Sequence, residues 1–276
     1  MINILYAGNQ KVFDGLLISV LSLTQKTKQD LQIYIMTMDL TCKNPAFTPI
    51  SDEQIKFIEN VAKRYNKNNK VTKVDATKVY KDVLDNSVNE NDRCTPYAML
   101  RLLVGYFDMP DKLLYLDTDT IINNDISDMY NTDISNYELA AVTDILFKNF
   151  VYDFDYFNSG VMLLNVKKLK ETGALDKALK LCRYKKMSFL DQDAINKAVK
   201  KRLHLSWKCN WFRNKCKYHS DIIIHHLCNA RQKDKIMHRI KPWETELFLQ
   251  SFPMYKDLIE DFLKCKNEYQ KQIKKD

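Results

Sequence analysis

The chain has 276 residues, of which 45% are hydrophobic and 28% are charged, and its formal net charge is +8. With only 5 Gly and 6 Pro, this composition excludes a fibrous or disordered chain and is typical of a globular protein with a packed core. No apolar run approaches the ~18 residues of a membrane-spanning helix, and the first residues lack a signal-peptide pattern. The 7 cysteines are scattered without a Cys-x-x-Cys pair, which favours reduced thiols. We therefore expect a cytoplasmic protein, at most peripheral at the inner face of the membrane.

Strand and helix signals alternate along the chain, which indicates crossover connections and a mostly parallel sheet. Two helix starts are marked by residue type: Ser51 and Gln54 have capping-box spacing, and Pro96 suits a first helical turn. The apolar patterns predict, in chain order, a strand at 2–7, a helix at 15–25, a strand at 31–38, a helix at 53–65, a strand at 71–74, a helix at 97–107, strands at 112–117, 138–143 and 160–165, helices at 166–182 and 191–201, a strand at 221–224 and a helix at 255–273.

The most informative segment is 112–119, Lys-Leu-Leu-Tyr-Leu-Asp-Thr-Asp, in which a buried strand ends in two carboxylates. In an open α/β sheet, ligands bind outside the carboxyl ends of the strands. Mg²⁺ and Mn²⁺ take oxygen ligands and typically use one or two carboxylates beside substrate phosphates. Two other Asp-x-Asp patterns, at 153–155 and 191–193, do not cap a clear strand. Asp117 and Asp119 are therefore predicted to hold a cation against a diphosphate.

Several separated motifs, in the same order, resemble those of glycosyltransferase family 8. This family comprises retaining, metal-dependent sugar-nucleotide transferases and includes bacterial lipopolysaccharide galactosyl- and glucosyltransferases and glycogenin. The resemblance spans roughly residues 1–243. The segments that carry it are Tyr97-Ala98-Met99-Leu100-Arg101-Leu102, the run 112–119, Ala140-Ala141-Val142-Thr143-Asp144, Phe157-Asn158-Ser159-Gly160-Val161 with the strand to 165, Asp191-Gln192-Asp193, Trp207 to Asn210, and Ile224-His225.

The resemblance implies an α/β fold of the A-type, Rossmann-like glycosyltransferase class, with helices flanking a mixed, mostly parallel sheet. It also implies a division of the chain. Residues 1–243 would form the nucleotide-sugar-dependent domain, and residues 244–276 would form a helical C-terminal extension packed on or beside it.

Transfer from a nucleotide sugar breaks an anomeric C–O bond, so negative charge grows on the diphosphate and positive charge on the sugar ring. The resemblance implies that Asp117, Asp119 and His225 hold a Mn²⁺ or Mg²⁺ ion that neutralises the leaving group. The chain departs from the family here, because a His-x-x-Gly-x-x-Lys-Pro-Trp loop is replaced by a longer segment. His225 is the preferred third ligand, and His226 and His238 remain alternatives. A core histidine with satisfied hydrogen bonds is the simpler interpretation of His225.

The resemblance places three residues at the reacting centre. Gln192 would lie beside the anomeric carbon, and since an amide is a poor nucleophile, we expect it to stabilise the developing cation. A covalent intermediate on Asp144 or Asp191 is the alternative; otherwise these two carboxylates would hold sugar hydroxyls. Asp191 has a simpler interpretation as the N-cap of the following helix, and Asn158 has one as the end of a strand. The order of the motifs argues against both.

The substrate contacts implied by the resemblance lie on both sides of the carboxylate pair. Asn158 suits sugar hydroxyls because its amide both donates and accepts, and Gly160 lets backbone approach a ligand closely. Asn9 replaces an aspartate that in the family bonds uracil, so donors other than UDP-sugars stay open. The remaining implied contacts are Ala7, Arg101, Asp117, Thr118 and Lys241, with Arg101 and Lys241 directed at phosphates.

A basic, aromatic stretch runs from Ala194 to Ser220 with eight Lys or Arg residues and no Asp or Glu. Because it lies between Gln192 and His225, the resemblance places it on the acceptor side and predicts an anionic acceptor or surface. A solvated helix end and loop would explain the same composition.

These motifs lead to the hypothesis of a hexosyltransferase that uses a UDP-sugar, such as UDP-glucose, UDP-galactose or UDP-N-acetylglucosamine. Its acceptor would be a glycan, a lipid-linked sugar or a glycoprotein, in polysaccharide biosynthesis, and no nucleic acid partner is expected. Two alternatives are the same fold with a GDP- or TDP-sugar donor, and a non-catalytic polyanion-binding module.

Overall fold

The computed structural model describes residues 1–90, 95–144, 155–212, 218–229 and 240–274. Among these residues the strands are β1 (Ile2–Ala7), β2 (Leu31–Thr37), β3 (Lys70–Asp75), β4 (Lys112–Leu116), β5 (Thr120–Ile122), β6 (Leu139–Thr143), β7 (Phe157–Asn165), β8 (Arg202–His204) and β9 (Ile224–His226). The α-helices are α1 (Phe13–Lys26), α2 (Asp52–Tyr65), α3 (Thr77–Val83), α4 (Ser127–Asn131), α5 (Val166–Glu171), α6 (Ala174–Tyr184), α7 (Leu190–Ala198), α8 (Thr245–Ser251) and α9 (Lys256–Ile273).

A seven-stranded mixed sheet in the order β3-β2-β1-β4-β7-β6-β8 forms the centre of the molecule. Strands β3, β2, β1 and β4 are parallel to one another, whereas β7 runs antiparallel to both β4 and β6. Strand β4 is buried along most of its length because helices cover both faces of the sheet, which explains its continuous apolar sequence. The predicted α/β architecture with a mixed, mostly parallel sheet is confirmed.

Several local features differ from the sequence-based prediction, and the helix expected at 191–201 ends at Ala198. The single helix expected at 166–182 is two helices, α5 and α6, separated at Gly173, whose φ of 68° is in the left-handed region. The helix expected at 97–107 is a 3-10 helix, Pro96–Tyr106. The strand expected at 221–224 lies instead at Ile224–His226 and pairs antiparallel with β5 in a separate two-stranded sheet. That small sheet follows Asp119 directly.

The C-terminal helix α9 packs on the face of the sheet that carries α1 and α2. The Tyr269 ring packs between those of Phe13 and Phe57, with centroids 4.9 and 5.0 Å away, and Phe262 is fully buried. Lys266 pairs with Asp14 at 2.6 Å, which joins α9 to α1 by charge as well as by apolar contact. A domain boundary at residue 243 remains a prediction. No helix of the described chain is long and apolar enough to cross a membrane.

Candidate active site

Asp117 and Asp119 lie at the carboxyl end of β4, in the turn that leads into β5. The Asp117 backbone N–H donates to the Gly160 carbonyl at 2.8 Å, which ties the turn to β7. On the side of α1, the Thr120 hydroxyl donates to the Asp117 carbonyl at 2.7 Å and lies 2.9 Å from the hydroxyl of Ser19. The two carboxylates therefore stand at the rim of the sheet on a turn that is hydrogen-bonded from two sides.

His226 joins the two carboxylates. Its Nε2 lies 3.5 Å from Asp117 Oδ2 and 3.4 Å from Asp119 Oδ1. One ligand atom from each of the three residues falls within 4.8 Å of the others. The small sheet creates this arrangement, because β9 pairs His226 with Thr120, and the Leu227 N–H donates to the Asp119 carbonyl at 2.9 Å.

His225, the histidine preferred from the sequence, points away from this cluster. Successive side chains of a strand lie on opposite faces, so His225 and His226 cannot both face the carboxylates. The His225 Nδ1 lies 2.9 Å from the Tyr255 hydroxyl, and its ring packs against Trp211 with centroids 4.3 Å apart. The preference for His225 is thus corrected in favour of His226. His238, the other alternative, lies outside the described residues.

Gly160 lies directly beneath the His226 ring. A Cβ at position 160 would come within 2.1 Å of His226 Cε1. The sequence-based argument assigned this glycine to a close approach between backbone and ligand. The structure instead places the imidazole of His226 in that space, so Gly160 is required for the position of His226.

A cluster of buried polar side chains lies beside the carboxylate pair. Asn158 Nδ2 donates to Asp144 Oδ2 at 3.4 Å and to Gln192 Oε1 at 3.3 Å. The Gln192 Oε1 also accepts from the Ser159 backbone N–H at 3.1 Å, while its Nε2 donates to the Tyr156 hydroxyl at 3.3 Å. The three predicted residues Asp144, Asn158 and Gln192, which come from separate elements, are thus brought together.

Arg101 is buried between two carboxylates. Its Nη2 lies 2.9 Å from Asp117 Oδ1, and its Nε lies 3.1 Å from Asp191 Oδ2. Its guanidinium lies over the Tyr115 ring, 4.4 Å from the centroid, and Nη1 donates to the Ser159 carbonyl at 2.7 Å. With all these contacts made inside the protein, Arg101 links the metal-site carboxylate Asp117 to Asp191. The sequence had suggested that this side chain is directed at phosphates.

Lys241 pairs with Asp119 from the opposite side and also donates to the Leu227 carbonyl at 3.4 Å. The ammonium group therefore occupies one side of the metal-site carboxylate. Unlike Arg101, Lys241 is only half-buried, and its long, flexible stem allows the charge to move.

The remaining predicted contacts lie along the same rim of the sheet. Ala7 is the last residue of β1, and Asn9 follows it, 4% exposed, with its Oδ1 accepting from the Lys11 N–H at 3.2 Å. Thr118 lies between the two carboxylates, where its carbonyl faces Gly15 of α1.

The charges of the site shift the pKa values of its groups. Burial alone would raise the pKa of Asp119, but Lys241 and His226 hold that pKa below its usual range. Burial raises the pKa of Asp191 to about 6, and Arg101 only partly opposes this. Burial disfavours the charged form of His226, yet nearby Cys228 and Asp119 raise the pKa of this imidazole well above its ordinary value. Burial lowers the pKa of His225 to about 3, which keeps that ring neutral.

The residues at the carboxylate pair fit a hard divalent cation. Two carboxylates and one imidazole suit Mn²⁺ or Mg²⁺, and the site lies where a diphosphate could supply further oxygen ligands. The Nε2 of His226 is buried and makes no hydrogen bond within the described part of the chain. A buried polar atom without a hydrogen bond, directed at two carboxylates, is the arrangement that a metal ion satisfies.

The basic stretch divides between surface and core. Trp207 is 46% exposed and Lys208 pairs with Asp221 at 2.6 Å, whereas Trp211 and Phe212 are buried. Residues 213–217, including Arg213, Lys215 and Lys217, lie outside the described residues. An acceptor-side role for this stretch remains a prediction.

Two residues of the candidate site were not assigned to it from the sequence. His226 was only an alternative, because the register between β5 and β9 cannot be read from one strand. Asn210 appeared in the motif comparison without a role, although it is 1% exposed and contacts both Asn158 and His226. The only signal that the sequence offered was an asparagine between Trp207 and Trp211.

A family model described as Glycosyl transferase family 8 matches residues 3–245. Among curated relatives, a putative glycosyltransferase of Haemophilus influenzae is 28% identical over 206 residues, which cover 70% of this chain and 58% of the relative. The glycogenin of Komagataella phaffii is 43% identical over 53 residues, covering 19% of this chain and 12% of the relative. The chain thus spans 58% of the first of these relatives and less of the second.

Solved structures share the fold. An active-site mutant of LgtC superposes with a TM-score of 0.70 at 17% identity, covering 94% of this chain and 96% of that chain. The galactosyltransferase LgtC in complex with donor and acceptor sugar analogs gives a TM-score of 0.67 with the same identity and coverage. The glycosyltransferase GlyE of Streptococcus pneumoniae gives 0.64 at 18% identity and covers 95% of this chain and 63% of that chain. The architecture is therefore the A-type glycosyltransferase fold.

Proposed function

The chain belongs to glycosyl transferase family 8, and on this premise we propose that it transfers a hexose from a UDP-sugar to a hydroxyl group, with retention at the anomeric carbon. The observation that carries the proposal is the convergence of Asp117, Asp119 and His226 at the rim of the sheet, beside the cluster of Asn158 and Gln192. The acceptor would be a glycan, a lipid-linked sugar or a glycoprotein.

Asp117, Asp119 and His226 would hold a Mn²⁺ or Mg²⁺ ion. When bound, that ion supplies positive charge to the departing diphosphate. Arg101 holds Asp117 through its Nη2 and thereby orients one carboxylate oxygen. The Tyr115 hydroxyl donates to the same Oδ1 atom at 2.7 Å, which leaves Oδ2 directed towards His226.

Lys241 would add a charge-assisted contact to the phosphates. In the structure its ammonium lies against Asp119, next to the place where the diphosphate would bind. Since the side chain is half-buried and flexible, it can leave Asp119 and follow the growing negative charge.

The sugar would bind against Asp144, Asn158 and Asp191. Asp191 is held in place by Arg101 and by the Ser159 hydroxyl at 3.3 Å, so it can accept from a sugar hydroxyl without moving. Gln192 would face the anomeric carbon and stabilise the positive charge that develops there. Attack by a carboxylate of Asp144 or Asp191, followed by a covalent intermediate, is the alternative course.

A GDP- or TDP-sugar donor is the second candidate. Asn9 supports it, since a neutral amide replaces the carboxylate expected for uracil, and its oxygen already caps the 3-10 helix at Gln10–Val12.

The exposed Trp207 beside Lys208 supports an acceptor that carries phosphate or sits at an anionic membrane surface.

The test is a panel of UDP-, GDP- and TDP-sugars, followed by release of free nucleotide with Mn²⁺, with Mg²⁺ and with a chelator. We expect metal-dependent release from a UDP-hexose, and we expect Asp119→Asn to abolish it. Asp128→Asn is the matched control, because Asp128 is an exposed aspartate nearby with no role at the site. If no nucleotide sugar is bound or hydrolysed under any of these conditions, the proposal fails. Salt-sensitive polyanion binding that survives Asp119→Asn would then favour a binding module.

A further inference from the structure

Asn210 lies between the metal site and the sugar-side cluster. We infer that Asn210 is a positioning residue that keeps a proton on Nδ1 of His226 and so presents the Nε2 lone pair to a cation between Asp117 and Asp119. The inference rests on the proposed metal site. It follows from the donor and acceptor in each of three successive hydrogen bonds, which connect the Gly160 backbone to Asn158, Asn158 to Asn210, and Asn210 to His226.

The first bond determines how the Asn158 amide is turned. The Gly160 backbone N–H lies 3.0 Å from Asn158 Oδ1, and a backbone N–H can only donate. The atom that faces Gly160 must therefore be the oxygen of Asn158, because its NH₂ group in that place would set two donors against each other.

The second bond determines how the Asn210 amide is turned. Asn210 Nδ2 lies 2.9 Å from the same Asn158 oxygen, so Asn210 directs its NH₂ group to Asn158. Its Oδ1 is then left to face His226 Nδ1, 3.1 Å away. The oxygen and nitrogen of an amide are easily interchanged, but here the donor and acceptor roles of the neighbouring groups allow one orientation of Asn210.

The third bond determines where the imidazole carries its proton. An amide oxygen has no hydrogen, so the contact with Asn210 requires that His226 Nδ1 be the donor. With Nδ1 as the donor, Nε2 is the ring nitrogen directed at Asp117 and Asp119. A cation that binds between these carboxylates takes the place of any proton on Nε2 and uses its lone pair. Hydrogen-bond partners of this kind orient metal-binding histidines and raise their basicity.

These three hydrogen bonds are effective because the side chains that make them are buried. His226, Asn158 and Asn210 are 2%, 6% and 1% exposed, so water cannot readily replace a lost partner. At its other end the Asn158 Nδ2 donates to Asp144 and Gln192. The same three amide and imidazole groups therefore hold the metal site and the proposed sugar site in one rigid arrangement.

The first test measures Mn²⁺ affinity of the full chain by calorimetry, without nucleotide. Asn210→Leu removes the acceptor for Nδ1, and we expect it to weaken Mn²⁺ binding about 10- to 100-fold, as the loss of an outer-shell partner does. Asn210→Asp keeps an acceptor for Nδ1 but loses the NH₂ group that donates to Asn158, so its affinity should lie above that of Asn210→Leu. Asn69→Leu is the matched control, because Asn69 is equally buried and bonds Ala62 and Leu31 far from the site. Unchanged affinity in Asn210→Leu would overturn the inference.

The second test reads the proton directly by ¹⁵N–¹H NMR of the histidine side chains in the metal-free chain, with His226→Gln to assign the signal. We expect a slowly exchanging proton on His226 Nδ1 in the wild type and in Asn210→Asp. Even if Asn210→Leu fails to fold, a wild-type His226 whose Nδ1 carries no proton would contradict the inference. A wild type that shows this Nδ1 proton but binds no Mn²⁺ would instead refute the metal-dependent function and leave the orientation of the ring established.

Discussion

The imidazole of His226 occupies the space that a side chain at Gly160 would need: a Cβ there would lie 2.1 Å from Cε1 and 2.7 Å from each ring nitrogen. The φ of Gly160 is not in the left-handed region, so its backbone would accept an L-residue without strain. The demand for glycine at this position is therefore a demand of the metal-site histidine, not of the local chain conformation.

The first prediction is that Gly160→Ala displaces His226 and weakens Mn²⁺ binding at least about tenfold, on the scale of a lost outer-shell partner. The measurement is calorimetric titration with Mn²⁺, together with a thermal melt. Gly105→Ala is the matched control, because the closest atom that its Cβ would meet is the flexible end of Leu175, at 2.8 Å. An alanine at 160 that leaves the affinity unchanged would show that His226 is not needed for the metal.

The second prediction separates the two neighbouring histidines. His226→Gln should abolish Mn²⁺ binding with little change in melting temperature, because the loss is confined to the metal site. His225→Phe should keep Mn²⁺ affinity but lower the free energy of unfolding by about 1–3 kcal/mol, since the buried hydrogen bond between His225 and the Tyr255 hydroxyl is lost. Chemical unfolding and Mn²⁺ titration of both variants check this. The opposite pattern would return His225 to the metal site.

The carboxylates of the candidate site could be predicted from the sequence, whereas the choice between His225 and His226 could not. The strand at β4 and its carboxylates were readable because a continuous apolar run that ends in Asp-x-Asp depends only on local residues. The third ligand depends on the register between β5 and β9, and a shift of one residue exchanges the two faces of a strand. With two histidines side by side, composition and motif could not choose between them; the pairing of His226 with Thr120 does.

Dependence on tertiary structure also explains why the partners of Arg101 were not predicted from the sequence. Its position on a helix before β4 was predicted, and its role was taken from a family motif. Its partners Asp117 and Asp191 are separated from it by 16 and 90 positions in the sequence, and only the packing of β4, β7 and α7 brings them together. Long-range ion pairs of this kind leave no periodic pattern in a single sequence.

The third prediction concerns pH. The pKa of Asp191 is about 6 in the folded chain, above its ordinary value of 3.8, because burial disfavours the charged form. The folded state thus holds this proton more tightly than the unfolded state. The stabilisation is complete below about pH 4 and is lost as the pH rises through 6. Asp191→Asn keeps a neutral group, so its stability relative to the wild type should increase between pH 4 and pH 7.

Urea unfolding of both proteins with a chelator present measures this difference, which should not exceed a few kcal/mol. Asp128→Asn is the control for the substitution itself, because Asp128 is an exposed aspartate outside the cluster of Arg101 and Asp191. A relative stability of Asp191→Asn that stays constant or falls with rising pH would show that Arg101 keeps Asp191 charged throughout.

The fourth prediction concerns Lys241, whose ammonium lies against Asp119 on the side away from His226. A cation that binds Asp119 must compete with this charge, whereas a diphosphate would gain from it. Lys241→Met should therefore raise Mn²⁺ affinity without nucleotide by about tenfold, which corresponds to ~1.4 kcal/mol of binding free energy. In the presence of Mn²⁺ the same variant should bind UDP more weakly. Lys266→Met removes a comparable Lys–Asp pair, with Asp14, far from the site and should change neither. Weaker Mn²⁺ binding in Lys241→Met would mean that Lys241 holds Asp119 in the geometry that the metal needs, so that one lysine would support the metal site first and the phosphates second.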